Sequence, residues 1–450
     1  MSAPRRTLGE LLSPIDCDHF FRDHWERQPL QVLHDDPQRY ENVLTSRDVD
    51  KVIAFTRPRF ADSSAFLSTA SPPATYVRGA LAGQFAALPF DPGLADLRDA
   101  YDRGKSVVIM SMQHRWPAVA TLCRGLEAEL HCPVHANLYI TPAGSQGFAA
   151  HYDPHEVFAL QLDGVKHWRL YDHVEPFPTA DTVRMPESSL GKPREVCLRP
   201  GDLLYIPRGH VHDAYTKSHS SLHLTVGINV YRWADLLHNA LASATRNDVR
   251  LRESIPGGAL PGDRASLKAR FRNLLASLAE GQDLDRLFDL ALNSLGTQFF
   301  DELKMLPGSQ FAQPDAVPLA ADTVLERSPL TICRVVENEH GAAIEFPGNR
   351  VTGPCRIASA LRFVAAASRF MVRDLPDDLN LNSKLTLVGR LVHEGLLTVV
   401  KTPNGTATTP TAFDNSQTGE TAAGGEAAVR DEEGPESAPR GPQPVVAASD

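Results

Sequence analysis

The chain lacks paired cysteines. Its six, Cys17, Cys123, Cys132, Cys197, Cys333 and Cys355, are scattered through 450 residues without a CxxC spacing, which suggests neither a zinc ribbon nor a disulfide framework. No apolar run is long enough to span a bilayer, and the polar, basic start from Met1 to Leu12 has no apolar stretch of the signal-peptide type. These absences predict a reduced, cytoplasmic setting and no membrane partner. An excess of basic residues is also missing. A net charge of −10 argues against a general nucleic-acid coat, so nucleic acid is not expected as a direct substrate. Much of that acidity sits in residues 403–450, a stretch of Ala, Gly, Thr, Pro and Glu with one aromatic, Phe413. It has too little apolar surface to offset chain entropy and is expected to be a disordered acidic tail.

What is present is a set of metal-ligating residues. His151-Tyr152-Asp153 is followed by Lys166 and then by His212, at the end of Ile206-Pro207-Arg208-Gly209-His210-Val211-His212. Two imidazoles and one carboxylate leave three adjacent positions open on an iron, the facial triad of non-haem Fe(II) oxygenases. If the dyad lies in a strand, His151 and Asp153 project to the same face. The apolar segment Glu156 to Asp163 ends at Asp163-Gly164, a hairpin signal, and His167 to Tyr171 reads as its partner strand. Lys166 would enter that returning strand near the dyad, where a buried ammonium needs an anion. The distal carboxylate of 2-oxoglutarate would serve. His210 shares strand parity with His212 and is the alternative ligand; His155, His167, His173, His219 and His223 read singly as surface or structural histidines.

Six or more short strands between about 134 and 230, among them Gly201 to Pro207 and Leu222 to Val230, read as a small all-β barrel or double sheet. Helices are expected over Asp16 to Glu26, from Ser46 onward, over Pro117 to Leu130, and then over Ala234 to Arg246, Asp263 to Leu278 and Leu284 to Leu295. After a Pro-containing linker, Pro307 to Leu319, residues 320–402 form a compact unit. Its expected strands are Thr331 to Val336, Ala342 to Phe346 and Leu396 to Val400, and its expected helices Ile357 to Ala367 and Lys384 to Glu394. Its charges are balanced, which favours protein contact over DNA for this unit.

The runs Asn137-Leu138-Tyr139-Ile140-Thr141-Pro142, Ser145-Gln146-Gly147-Phe148, Leu160 to Tyr171 and Leu204 to His212, with His24-Trp25-Glu26-Arg27-Gln28-Pro29-Leu30 upstream, closely resemble JmjC-type cupin oxygenases of the ribosomal oxygenase group. The resemblance spans roughly residues 8–400. It implies an α+β chain: a double-stranded β-helix (cupin, jelly-roll) oxygenase domain with a helical N-terminal elaboration over 1–232, a helical dimerisation region over 233–306, and a winged-helix-like domain over 320–402. It implies Fe(II) on His151, Asp153 and His212, favouring His212 over His210, and 2-oxoglutarate on Lys166, with Asn137, Tyr139 and Thr225 lining the cosubstrate pocket. The implied reaction uses O2 and 2-oxoglutarate to hydroxylate a histidyl or arginyl side chain of a protein, foremost a ribosomal protein, in a homodimer. The alternatives are hydroxylation of a peptide or amino-acid natural product, or a non-catalytic cupin and winged-helix regulator.

Overall fold

The computed structural model describes residues 7–55, 65–68, 85–87, 94–179, 190–257, 264–279, 284–306, 318–328 and 330–400. The acidic tail and most of the expected linker lie outside these residues. In chain order, the N-terminal part holds α1 (Leu8–Leu12), α2 (Cys17–Asp23), β1 (Leu30–Val32), α3 (Val49–Phe55), β2 (Ala65–Ser68), β3 (Phe85–Ala87), α4 (Leu94–Asp102), β4 (Ser106–Ile109) and α5 (Pro117–Leu130). The strands β5 (Val134–Thr141), β6 (Glu156–Gly164), β7 (Lys166–Val174), β8 (Arg194–Leu198), β9 (Leu203–Ile206), β10 (His210–Tyr215) and β11 (Ser221–Ile228) follow. Then come α6 (Trp233–Asn247), α7 (Arg264–Ala279) and α8 (Leu284–Glu302). The C-terminal part holds β12 (Val324–Arg327), β13 (Arg334–Asn338), β14 (Gly341–Phe346), β15 (Asn349–Gly353), α9 (Ala358–Ala366), β16 (Arg369–Met371), α10 (Leu381–His393) and β17 (Leu397–Val399).

Two antiparallel sheets make the centre: an eight-stranded one in the order β1-β9-β6-β11-β5-β4-β2-β3 and a three-stranded one in the order β10-β7-β8. Side-chain alternation tells each strand which layer it faces. On β5, Val134, Ala136 and Leu138 pack outward against Leu122 and Leu126 of α5, while His135, Asn137 and Tyr139 are left on the inner face. On β6 and β9, Phe158, Leu160, Leu203 and Tyr205 go to that outer core. Val157, Ala159, Leu204 and Ile206 meet Trp168 and Leu170 of β7 between the sheets.

The expected hairpin between β6 and β7 does not form. Both edges of β6 are taken, by β9 and by β11, so β7 has no edge to pair with and crosses to the second sheet, between β10 and β8. Gly164 makes the crossing. Its φ is +66° and a Cβ there would lie 1.9 Å from the Ser220 carbonyl oxygen, so only glycine fits.

The helix starts carry their caps: Thr7 and Glu10 form a capping box on α1, Asp16 accepts from the His19 N–H on α2, and Pro117 opens α5. The helix expected from Ser46 begins as a 3-10 turn, Ser46–Asp48, before α3. The C-terminal unit has its own core, in which Ile344, Phe346, Leu361, Val364, Val388 and Leu391 are buried. Its strands form two three-stranded sheets, β16-β12-β17 and β13-β14-β15. Arg334 fastens it to α8: its guanidinium pairs with Glu345 at 2.8 Å and donates to the Asn293 carbonyl at 2.7 Å. Gly296, with no Cβ, gives that guanidinium room.

Candidate metal centre

His151 and His212 face each other as an isolated antiparallel bridge. The dyad therefore sits in an extended segment just before β6, not within a strand as expected, because only this one residue pairs. Alternation survives all the same: Tyr152 packs away, with Ala150, Tyr171 and Val211. The ligating atoms of His151, Asp153 and His212 all lie within 4.8 Å of one another, and among the described residues theirs is the one such group of three. His212 Nε2 is 3.6 Å from Asp153 Oδ2. Each imidazole is oriented through its other nitrogen. Nδ1 of His151 bonds the Ala149 carbonyl at 2.9 Å, and Nδ1 of His212 bonds the His210 carbonyl at 3.0 Å. Both Nε2 atoms are thereby left as acceptors toward a metal.

Burial opposes charge on Asp153, yet the imidazoles of His155, His151, His212 and His135 around it hold its carboxyl below the usual range. Burial pushes His212 down to about 4, which keeps that imidazole neutral and free to coordinate. This donor chemistry, one carboxylate with two neutral imidazoles, fits a divalent first-row metal. His210 stays outside the group. A register shift falls between His210 and His212 in the pairing of β10 with β7, and the group that converges holds His212 alone of the two.

Lys166 opens β7 and is buried between the sheets. Its Nζ donates to Thr141 Oγ1 at 2.8 Å, and no carboxylate pairs with it among the described residues. Burial alone brings its pKa down to about 7. The register of β5 against β11 sets a row of inner-face pairs: Thr141 with Ser221, Tyr139 with His223, Asn137 with Thr225, and His135 with Gly227. Asn137 accepts from the Ser111 N–H at 3.1 Å. His223 stacks on Tyr139 with ring centroids 4.7 Å apart and meets Trp168 edge-on at 5.5 Å. Its Nδ1 is buried without a hydrogen-bond partner among the described residues. Sequence reasoning named Asn137, Tyr139 and Thr225 but passed over Thr141 and took His223 for a structural histidine. Parity carried the signal, since each lies two residues from a residue already chosen.

The profile of the JmjC domain family matches residues 109–236. The bifunctional lysine-specific demethylase and histidyl-hydroxylase NO66 of Drosophila pseudoobscura pseudoobscura is 32% identical over 259 residues, covering 56% of this chain and 26% of that protein. The chain thus spans about a quarter of that relative's length. Ribosomal oxygenase 2 of Mus musculus is 30% identical over 335 residues, covering 68% of this chain and 69% of that protein. The structure of YcfD, a ribosomal oxygenase from Escherichia coli in complex with cobalt and 2-oxoglutarate, superposes with a TM-score of 0.51 at 18% identity, covering 86% of this chain and 98% of that one. Two antiparallel sheets around a His-Asp-His group, with similarity over 69% of a curated relative at 30% identity, place the chain in the ribosomal oxygenase family of JmjC-domain cupin proteins.

Proposed function

We propose that the protein is an Fe(II)- and 2-oxoglutarate-dependent oxygenase that hydroxylates a histidyl or arginyl side chain of a protein, foremost a ribosomal protein. One observation carries the reading: three ligating side chains converge, the two imidazoles pre-oriented by carbonyls, in the same fold as a buried ammonium that has a hydroxyl but, among the described residues, no carboxylate against it. His151, Asp153 and His212 would hold the iron. Lys166 and Thr141 would bind the distal carboxylate of 2-oxoglutarate, with Asn137, Tyr139 and Thr225 along its length. Together with O2, iron and 2-oxoglutarate supply the oxidising power that puts a hydroxyl on a target carbon.

The chain's own contribution is orientation and dryness. Lys166 gives an otherwise buried dianion its counter-charge. Trp168, Leu170 and Leu204 keep water out of the space between the sheets.

The flanking regions fit the same reading. Residues 1–232 would be the oxygenase domain, 233–306 a dimerisation region and 320–402 a winged-helix-like module for protein contact, followed by an acidic tail over 403–450. No helix among the described residues is long and apolar enough to cross a membrane. The six free cysteines and a ferrous site both suit the cytoplasm.

The test is succinate release by the purified protein with Fe(II), 2-oxoglutarate and O2, with and without ribosomal-protein peptides. It is paired with mass spectrometry of those peptides. Peptide-stimulated succinate with a one-oxygen mass gain is expected. Stimulation by free amino acids alone would move the substrate to small molecules, and no turnover of any kind would overturn the oxygenase reading.

A further inference from the structure

The inner faces of β5 and β11 run from Thr141 and Ser221 at one end to His135 and Gly227 at the other. Six residues of strand separate these ends, roughly 20 Å. The first end is closed: Lys166, Thr141, Ser221 and His223 are all buried. The second end opens outward, with His135 half-buried and Asn229 exposed. A small cosubstrate held on Lys166 occupies the closed end, so a macromolecular target reaches the triad from the His135 end.

That end is built unusually. The rings of His135 and His155 lie 4.8 Å apart, tilted at 56°, and both stand directly over Gly227. A Cβ on Gly227 would fall 2.3 Å from His135 Cε1, 2.4 Å from His135 Nε2 and 2.6 Å from His155 Cδ2. Since Gly227 has an ordinary backbone conformation, close approach of the two rings is what requires glycine. The amide nitrogen of Asn229 lies 3.3 Å from His135 Nδ1. Nδ1 therefore accepts, and Nε2 carries the proton over Gly227. The ring of His155 makes no hydrogen bond among the described residues.

We propose that His135 and His155, seated on Gly227, form the wall on which the target side chain docks, and that they select a side chain bearing a hydrogen-bond acceptor over a guanidinium. An amide, a carboxylate or an imidazole nitrogen can accept from His135 Nε2. A guanidinium is all donors and meets that N–H with nothing to offer it. The inference rests on the oxygenase reading for the direction of approach, but its test does not depend on turnover.

The probe is a series of otherwise identical peptides carrying histidine, asparagine, aspartate or arginine at the centre. Their binding is measured by fluorescence anisotropy to the full chain loaded with zinc and 2-oxoglutarate. Acceptor-bearing peptides should bind roughly tenfold more tightly than the arginine peptide, the worth of one satisfied hydrogen bond. His135→Phe, which keeps a ring over Gly227 but removes the donor, should bring that ratio toward one while leaving 2-oxoglutarate affinity unchanged. His135→Ala serves if the larger ring does not fit. Equal binding of the arginine peptide, a ratio that survives in the variants, or failure of every peptide to bind would overturn the proposal. Failure of the wild-type chain to bind 2-oxoglutarate would count against the oxygenase reading instead, and the peptide ratios would still report on the wall.

Discussion

His151 and His212 exchange both backbone hydrogen bonds, the His151 N–H to the His212 carbonyl at 3.0 Å and the His212 N–H to the His151 carbonyl at 2.8 Å. The two imidazoles are thus held opposite each other by main chain, with ring centroids 4.6 Å apart, before any metal arrives. The bridge survives loss of either side chain.

Removing either imidazole should therefore abolish metal binding without loosening the fold. His151→Ala and His212→Ala are each expected to weaken Fe(II) or Mn(II) binding by roughly 100-fold or more, beyond the 10–100-fold seen for groups that merely orient ligands. The melting temperature of the metal-free protein should stay close to wild type. Metal content after dialysis, read by atomic emission, gives the answer. His210→Ala is the control; if it lost metal while His212→Ala kept it, the ligand set would be wrong.

Lys166 supplies a pH dependence whose sign follows from its burial. Its pKa is about 7 in the fold against an ordinary 10.5, so between those values the unfolded chain binds more protons. The stability of the cosubstrate-free protein should accordingly rise as pH goes from 7 to 10.5, and the cost of the buried ammonium should be fully present below 7. Binding of a dianion reverses the balance by favouring the charged amine. At pH 8, titration calorimetry in buffers of different ionisation enthalpy should record uptake of about one proton per 2-oxoglutarate. Lys166→Met should abolish that uptake and weaken 2-oxoglutarate by roughly 10–100-fold, as expected for a charge-assisted hydrogen bond. Unchanged affinity in the variant would rule Lys166 out as the counter-ion.

Why the sequence disclosed some of this and hid the rest is visible in particular residues. Pro117 and the apolar spacing after it gave α5 its limits, Pro117–Leu130, because a proline start and a periodic face are local signals. The convergence of His151, Asp153 and His212 was legible through residue chemistry, which survives an error in secondary structure. Strand pairing was not legible. Asp163-Gly164 has the composition of a hairpin turn, but pairing is decided by which edges of β6 are free, and β9 and β11 arrive from far along the chain. Equally non-local is the bridge that sets His212 opposite His151. So is the role of Gly227, which reads as a weak point in a strand until the two rings above it are seen.

Gly164 tests that account of the crossing. Gly164→Ala puts a methyl group 1.9 Å from the Ser220 carbonyl oxygen at a φ of +66°, so backbone strain and overlap act together. A loss of about 2–5 kcal/mol is expected from the two effects, measured by urea unfolding. Gly144→Ala is the comparison: its φ is +67° but no described residue lies within 4 Å of a Cβ there, so only the conformational part, about 1–2 kcal/mol, should be lost. Equal losses at the two positions would mean that close approach to Ser220 does not govern the turn.

The helices after the sheets predict an oligomer. Trp233, Leu237 and Leu241 of α6 follow one another at four-residue spacing and are 78%, 67% and 48% exposed. Phe271 and Leu275 of α7 repeat the pattern, as do Leu284, Phe288 and Leu292 of α8. α7 has no buried residue at all. An isolated sixteen-residue helix is marginal in water and needs a packed face to persist. A second copy of the chain offers the same stripes in return, as a two-fold interface requires. Burying each such side chain would contribute about 1.5–3 kcal/mol. Sedimentation velocity should therefore give the mass of a dimer. The double substitution Leu237→Glu with Leu241→Glu should shift it to monomer while metal binding at the triad persists. A wild-type chain that sediments as a monomer at micromolar concentration would refute the dimer, and α7 would then need another partner to cover it.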